Sequence, residues 1–130
     1  MESFHLANSQ FIDEDYNDAI DSYSKAIIMS TQQSDSNNKQ SHFYLNRGTS
    51  YLKIKKYYQA LEDFEICLNL DPTIELAYYR KGVSYFELEE FESAKLAFMN
   101  GLKLRQEQNH NRDTSSYAQY IRKCNSEIKG

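Results

Sequence analysis

The sequence predicts an all-α protein, a right-handed superhelix of three helical repeats followed by a C-terminal capping helix. Three observations support this fold class. One Pro and four Gly in 130 residues leave long stretches without a helix breaker. Apolar residues recur with a period of 34 residues, which is typical of helical repeat proteins. A last amphipathic segment follows the repeats, as the exposed apolar end of a repeat array requires.

The 34-residue period is clearest between the segments that begin at Tyr44 and Tyr78. When the first segment is moved onto the second, residues of the same size class coincide. These pairs are Gly48 and Gly82, Tyr51 and Tyr85, Tyr57 and Phe91, Ala60 and Ala94, Phe64 and Phe98, Leu68 and Leu102, and Leu70 and Leu104. The small residues in each copy allow large neighbours to interlock over them. Each copy is therefore predicted to be a pair of antiparallel helices.

One domain over residues 1–130 is predicted, with repeat 1 at about 1–30, repeat 2 at about 41–74 and repeat 3 at about 75–108. Repeat 1 is a weaker copy, whose second-helix stripe is formed by Tyr16, Ala19, Ile20, Tyr23, Ala26 and Ile27. The polar stretch at 31–40 predicts an extended loop. Asp71 and Pro72 predict the end of a helix, because the residue before Pro disfavours helical geometry.

A capping helix is predicted at about 114–129, with Asp113 or Thr114 as its N-cap. Its apolar stripe is formed by Tyr117, Ile121, Cys124 and Ile128, at steps of 4, 3 and 4. Three helix pairs and this cap make seven predicted helices.

Composition and charge exclude several functions. The net charge is -4 and no basic stretch is present, so nucleic-acid binding is not expected. No apolar run approaches the roughly 20 residues of a membrane span, and the first residues do not resemble a signal peptide. Cys67 and Cys124 are predicted to be buried structural thiols in a reduced compartment. The scattered histidines and the absence of a catalytic constellation predict no metal, no cofactor and no enzyme.

The residues off the core stripes predict a protein-binding groove on the inner face of the first helices. The candidate binding residues are Asn8, Asn46, Thr49, Lys53, Tyr79, Arg80 and Val83. The wider inner face also includes Phe4, Phe11, His42, Leu45, Leu76 and Phe86. Aromatic residues and Arg in a groove suit a protein or peptide ligand. An acidic segment, Asp13-Glu14-Asp15, is the alternative docking position, although Asp15 also suits the start of a helix.

The repeat resembles the tetratricopeptide repeat (TPR) consensus. The consensus positions are occupied by Tyr44, Gly48, Tyr51, Ala60, Phe64, Cys67 and Pro72, and again by Tyr78, Gly82, Tyr85, Ala94, Phe98 and Gly101. The resemblance implies a helical protein-binding module. In one TPR group two Lys, two Asn and one Arg hold the acidic C-terminal tail of a chaperone. Asn8, Asn46 and Arg80 match three of these positions, but Phe4 and Leu76 replace the two Lys. Weak tail binding is therefore expected.

A further resemblance is to the co-chaperone family SGT-one, the suppressor of the G-two allele of Skp-one. It is carried by Ile12-Asp13-Glu14-Asp15, by Arg80-Lys81-Gly82 and by Ile121-Arg122-Lys123-Cys124. The resemblance implies an adaptor between the Skp subunit of the SCF ubiquitin ligase and Hsp-ninety chaperone machinery, in the cytoplasm and as an alternative in the nucleus. It also implies CS and SGS domains beyond residue 130. A TPR scaffold for another protein remains the alternative function, and a homodimer remains open.

Overall fold

The computed structural model describes the backbone of residues 2–109 and 111–129 and the side chains of residues 15–109 and 111–128. Six helices and no strand occur in this part of the chain. They are α1 (Glu2–Gln32), α2 (Asn37–Lys53), α3 (Tyr57–Leu70), α4 (Glu75–Glu87), α5 (Phe91–Gln108) and α6 (Ser115–Lys129). The predicted all-α fold class is confirmed. None of these helices combines the length and the apolar character that a membrane crossing needs.

Each helix packs mainly against its neighbours in the chain. The most extensive contacts join α2 to α3 and α4 to α5, so these helices form two hairpins. The contact between α3 and α4 stacks one hairpin on the other, and α6 covers α5 at the end of the stack. This order places α2 and α4 side by side, and they contact each other directly.

Both hairpins turn through a residue in the left-handed region. Lys55 lies between α2 and α3 with φ 65°, and Glu89 lies at the equivalent point between α4 and α5 with φ 61°. The N–H groups of Lys55 and Lys56 donate to the carbonyls of Leu52 and Tyr51 at 3.0 and 2.9 Å. These bonds satisfy the last carbonyls of α2 and reverse the chain within three residues.

Glycines allow the two helices of each hairpin to approach closely. A Cβ atom at Gly48 would lie 2.8 Å from Cε1 of Phe64, and one at Gly82 would lie 2.7 Å from Cε1 of Phe98. Both aromatic rings are fully buried. The ring of the second helix therefore occupies the space that a side chain on the first helix would need.

Two apolar clusters form the core. The first is formed by Leu45, Ala60, Phe64, Cys67, Leu68 and Ala77, and the second by Ala94, Phe98, Tyr117 and Cys124. Both cysteines are free and buried, as predicted. Burial, together with the nearby Asp71 and Asp63, raises the pKa of the Cys67 thiol to about 12. The thiol is therefore protonated and unreactive at neutral pH.

The first repeat differs from the prediction. Instead of two helices it forms the continuous helix α1, so the structure has six helices where seven were expected. Residues 2–32 contain neither Gly nor Pro, so no residue forces a break in this segment. Asp15 consequently lies inside a helix and does not begin one.

The connection after α1 is also shorter than the loop predicted at 31–40. Only residues 33–36 separate α1 from α2. The Oγ atom of Ser36 accepts a hydrogen bond from the N–H of Lys39 at 3.2 Å, so Ser36 is the N-cap of α2. The polar residues that follow Ser36 therefore form the first turn of a helix.

Candidate protein-binding surface

One face of α2 carries three of the predicted binding residues. Asn46, Thr49 and Lys53 stand at steps of 3 and 4, which places them on the same side of the helix. Asn46 and Lys53 are exposed, and Thr49 is half-buried. The polar groups of Asn46 and Lys53 are therefore accessible to a ligand on this side of α2.

Arg80 of α4 is connected to this face. Its Nη1 atom donates a hydrogen bond to Oγ1 of Thr49 at 2.5 Å. The same Thr49 hydroxyl donates to the carbonyl of Leu45 at 2.8 Å, so its lone pairs remain available to accept from Arg80. The guanidinium is thereby held in a defined position against α2.

The charge of Arg80 has no carboxylate partner among the described side chains. Other cations nearby are paired: Nη2 of Arg47 lies 2.7 Å from Oδ1 of Asp63, and Nζ of Lys81 lies 2.6 Å from Oε1 of Glu65. Burial lowers the pKa of Arg80, although an arginine remains protonated in proteins. Among the described side chains, the half-buried guanidinium therefore has no carboxylate partner and is available to an anionic group.

Leu76 of α4 is the last member of this group of residues. It precedes Arg80 by one helical turn and is 41% exposed. We use the name Arg80 surface for Asn46, Thr49, Lys53, Leu76 and Arg80. The side chains of Asn8 and Phe4, which were also predicted to belong here, lie outside the described residues.

Tyr79 is partly buried and packs against the second core cluster. Its ring contacts those of Phe98, Tyr117 and Tyr120 edge to face, with centroids 5.7, 5.2 and 5.9 Å apart. Val83 packs against the same cluster. Both residues are partly buried, and Tyr79 also lines a cavity at the start of α4, so their role in ligand binding stays a prediction.

Two other residues of the predicted inner face also belong to the core. Leu45 is buried in the first cluster. Phe86 packs edge to face against Phe91 and Tyr120, with centroids 5.3 Å apart in both pairs. The exposed part of the inner face is therefore narrower and more polar than the sequence pattern indicated.

A cavity of about 280 Å³ adjoins the Arg80 surface at the start of α4. It is lined by Glu75, Leu76, Tyr79, Arg105, Asp113, Ser116 and Tyr117. The carboxylate of Glu75 accepts hydrogen bonds from the Tyr117 hydroxyl at 2.5 Å and from Nη1 of Arg105 at 3.1 Å. Burial and the hydrogen bond to Glu75 raise the pKa of Tyr117. These bonds fix the wall of the cavity.

Sequence reasoning did not identify the hydrogen-bonded cluster of Glu75, Arg105 and Tyr117. Its members lie on α4, α5 and α6, and 42 residues separate Glu75 from Tyr117. No local pattern connects positions so distant in the chain. An acidic residue in the first turn of α4 was the only available signal, and helix-dipole complementarity explains that feature equally well.

The chain matches the family model described as tetratricopeptide repeat over residues 41–74 and 76–108. It is 35% identical over 96 residues to an Hsp70-Hsp90 organizing protein of Triticum aestivum, covering 74% of this chain and 15% of that protein. It is 32% identical over 95 residues to a Protein SGT1 homolog of Oryza sativa subsp. japonica, covering 73% of this chain and 24% of that protein. The chain therefore spans less than a quarter of the length of either relative.

Among solved structures, the first TPR of Spaghetti (RPAP3) bound to the HSP90 peptide SRMEEVD is similar over 97% of this chain and 90% of that chain. The TM-score is 0.74 and the sequence identity 25%. The resemblance to SGT-one is borne out by the rice relative. Three repeats followed by a capping helix account for the fold, with the first repeat formed by α1. The chain belongs to the tetratricopeptide repeat family.

Proposed function

We propose that this domain is a non-catalytic adaptor of a chaperone assembly and that the Arg80 surface binds an acidic segment of a partner protein. The observation that carries the proposal is the half-buried guanidinium of Arg80, which lacks a carboxylate partner among the described side chains. Charged groups away from water are normally paired. A carboxylate of the partner would supply the missing charge through a bidentate hydrogen bond.

The names of similar proteins support a chaperone partner. The wheat relative is an Hsp70-Hsp90 organizing protein, and the first TPR of Spaghetti is bound to an HSP90 peptide with two consecutive glutamates. Such a peptide carries the type of charge that Arg80 would bind. The exposed amide of Asn46 would add a hydrogen bond beside it.

Leu76 favours a folded partner surface over an isolated peptide terminus. A cation at this position would pair with a carboxylate, whereas Leu76 offers only apolar contact next to the 280 Å³ cavity. An interface of this kind, with a charged centre and an apolar neighbour, suits a protein surface.

The Skp subunit of the SCF ubiquitin ligase is a second candidate partner. The 32% identity to the rice SGT1 homolog favours it, and so does the segment Arg80-Lys81-Gly82, which is one basis of the resemblance to SGT-one. In this version of the proposal the Arg80 surface binds an acidic segment of the Skp subunit and not the chaperone.

Binding of the purified domain to full-length Hsp90, Hsp70 and the Skp subunit from the same organism tests both candidates. Arg80→Ala should weaken binding of the true partner by about 30-fold, which corresponds to about 2 kcal/mol for a central interface arginine. Arg122→Ala is the matched control, because Arg122 is an exposed cation of α6 and should leave the affinity unchanged. The partner that responds to Arg80→Ala identifies which version is correct.

The proposal fails if Arg80→Ala binds every partner as the parent does while circular dichroism shows the same helicity. In that case Asp13-Glu14-Asp15 of this chain is the rival binding position. An Asp13→Lys plus Glu14→Lys variant would then abolish binding, because it reverses the charge of that segment.

A further inference from the structure

A second surface, on α5 and α6, exposes three apolar side chains. Leu96 and Met99 of α5 are 62% and 48% exposed, and Ile128 of α6 is 39% exposed. Leu96 and Met99 are three residues apart and therefore lie on one side of the helix. Isolated apolar side chains are common on protein surfaces, but a contiguous group often marks an interaction site.

These side chains border a continuous depression. One cavity of about 350 Å³ is lined by Glu92, Lys95, Leu96, Met99 and Ile128. Another of about 400 Å³ is lined by Glu89, Glu90, Phe91, Glu92, Ser93 and Ile128. Because both are bordered by Glu92 and Ile128, they form one trough. We use the name outer trough for Glu89, Glu90, Glu92, Leu96, Met99 and Ile128.

One end of the outer trough is strongly acidic. Glu89, Glu90 and Glu92 are exposed, and none of them forms an ion pair with a described residue. Lys95 is the one cation among the described residues that line the trough. Among its described residues, the trough thus combines an apolar floor with a net negative charge at its rim.

The position of Ile128 explains why the floor is uncovered. The apolar stripe of α6 is formed by Tyr117, Ile121, Cys124 and Ile128. Its members Tyr117 and Cys124 are buried in the second core cluster, together with residues of α5. Ile128 lies one turn further along the same stripe but is exposed. The packing of α6 on α5 therefore ends before the stripe does.

We propose that the outer trough binds a basic amphipathic helix of a partner protein. Its apolar face would cover Leu96, Met99 and Ile128, and its Lys or Arg side chains would pair with the carboxylates at the rim. This is helix-in-groove recognition with charge complementarity that favours basic over acidic partners. A second copy of this chain suits the trough less well, because a two-fold contact would bring the same carboxylates together.

A synthetic Lys/Leu peptide of about four helical turns, with Leu at i, i+3, i+4 and i+7, is the direct ligand for the test. A peptide of the same composition in scrambled order is its control. Fluorescence anisotropy should show saturable binding of the amphipathic peptide but not of the scrambled peptide. The affinity for the amphipathic peptide should decrease as salt is added. Amide chemical-shift changes should centre on Leu96, Met99 and Ile128.

Two variants test the two components of the trough. Leu96→Gln plus Met99→Gln removes the apolar floor, and Glu90→Lys plus Glu92→Lys reverses the rim. Each should weaken peptide binding by about tenfold or more, a difference of about 1.4 kcal/mol. The matched control, Glu62→Lys plus Glu107→Lys, changes the net charge equally at exposed positions outside the trough and should retain the parent's affinity within about twofold.

Equal binding of the scrambled peptide, or an equal loss in the control variant, would show unspecific charge attraction and overturn the proposal. Sedimentation of the parent chain provides an independent check. A dimer that dissociates in the Leu96→Gln plus Met99→Gln variant would assign the trough to a second copy and would also overturn it. Arg80→Ala should bind the peptide as the parent does, because the outer trough does not include Arg80.

Discussion

Nη1 of Arg80 donates a hydrogen bond to Oγ1 of Thr49 at 2.5 Å, and this bond joins the first helices of two successive repeats. Thr49 in turn donates to the carbonyl of Leu45 at 2.8 Å. The position of the guanidinium is therefore set before any ligand arrives. A preorganised group loses less conformational entropy on binding than a free side chain does.

Thr49→Val tests how much the hydrogen bond between Thr49 and Arg80 contributes to stability and to partner binding. Val has the shape of Thr but cannot accept a hydrogen bond from Arg80. Loss of this bond should lower the free energy of unfolding by about 1 kcal/mol and weaken binding of the proposed partner several-fold. Denaturant unfolding and interferometry measure the two effects. Thr49→Ser, which keeps the hydroxyl, is the control, and equal binding by the Val and Ser variants would contradict the argument.

Gly82→Ala should destabilise the second hairpin. The added Cβ would lie 2.7 Å from Cε1 of Phe98, so the ring or the helix must shift, at a cost of about 1–3 kcal/mol. Phe98→Leu in the same chain should remove part of this clash. A double-mutant cycle from urea unfolding measures the coupling. Additive effects of the two substitutions would show that the ring does not limit the space at Gly82.

The sequence predicts the parts of the fold that repeat. The pairing of a Gly on one helix with an aromatic ring on the next occurs at Gly48 and Phe64 and again at Gly82 and Phe98. This contact is local to one hairpin, so the 34-residue period reveals it. Helix α1 could not be predicted in the same way. A helix break in a segment without Gly or Pro depends on packing against other helices, and the residues of that segment do not encode it.

The candidate site was predicted only in part for a related reason. Arg80 and Thr49 occupy inner-face positions that the repeat consensus defines. The ring contacts of Tyr79 with Tyr117 and Tyr120 were not predicted, because these two residues belong to α6. Contacts between a repeat and its cap do not recur in the chain, so a periodic pattern cannot show them.

Lys55→Gly should stabilise the domain. Lys55 has φ 65°, and this region is unfavourable for any residue with a Cβ atom. Glycine at this position should raise the free energy of unfolding by about 0.5–1 kcal/mol after its greater freedom in the unfolded chain is considered. Thermal unfolding provides the measurement. Glu62→Gly, in the middle of α3, should instead destabilise by about 1 kcal/mol, and a loss of stability in Lys55→Gly would contradict the prediction.

Stability should decrease in acid in part through Asp71 and Asp113. Hydrogen bonds from the Thr73 hydroxyl and N–H lower the pKa of Asp71, and the Ser115 N–H lowers that of Asp113. Because both folded pKa values lie below the unfolded value of about 3.9, the contribution is present above that pH and is lost as the pH falls through the folded pKa values.

The variant Asp71→Asn plus Asp113→Asn tests whether these two carboxylates cause part of the loss of stability in acid. Asn can accept the same hydrogen bonds without titrating. Between about pH 5 and pH 3 it should lose less unfolding free energy than the parent loses. Glu107→Gln, at an exposed position, should follow the parent. Parallel pH profiles for the Asn variant and the parent would show that neither carboxylate contributes.

Leu76→Lys should increase the affinity of the Arg80 surface for an acidic peptide terminus, which the parent should bind only weakly. The parent should bind the peptide SRMEEVD with a dissociation constant weaker than about 10 μM, roughly −7 kcal/mol. Leu76 is 41% exposed and lies one turn before Arg80, so a Lys at this position can extend into solvent beside the guanidinium. One added charge-assisted hydrogen bond contributes about 1.5 kcal/mol, which predicts about tenfold tighter binding by calorimetry.

The substitution also places a cation near the N-terminus of α4, where the helix dipole disfavours positive charge by about 0.3–1 kcal/mol. A slightly lower melting temperature should therefore accompany the tighter binding, so the gain cannot come from a more stable fold. Leu76→Gln has similar polarity without the charge and should not bind more tightly than the parent. If the parent itself binds SRMEEVD more tightly than about 10 μM, and Asn46→Ala or Arg80→Ala abolishes this binding, the cation at position 76 is unnecessary and the remaining Asn and Arg side chains suffice.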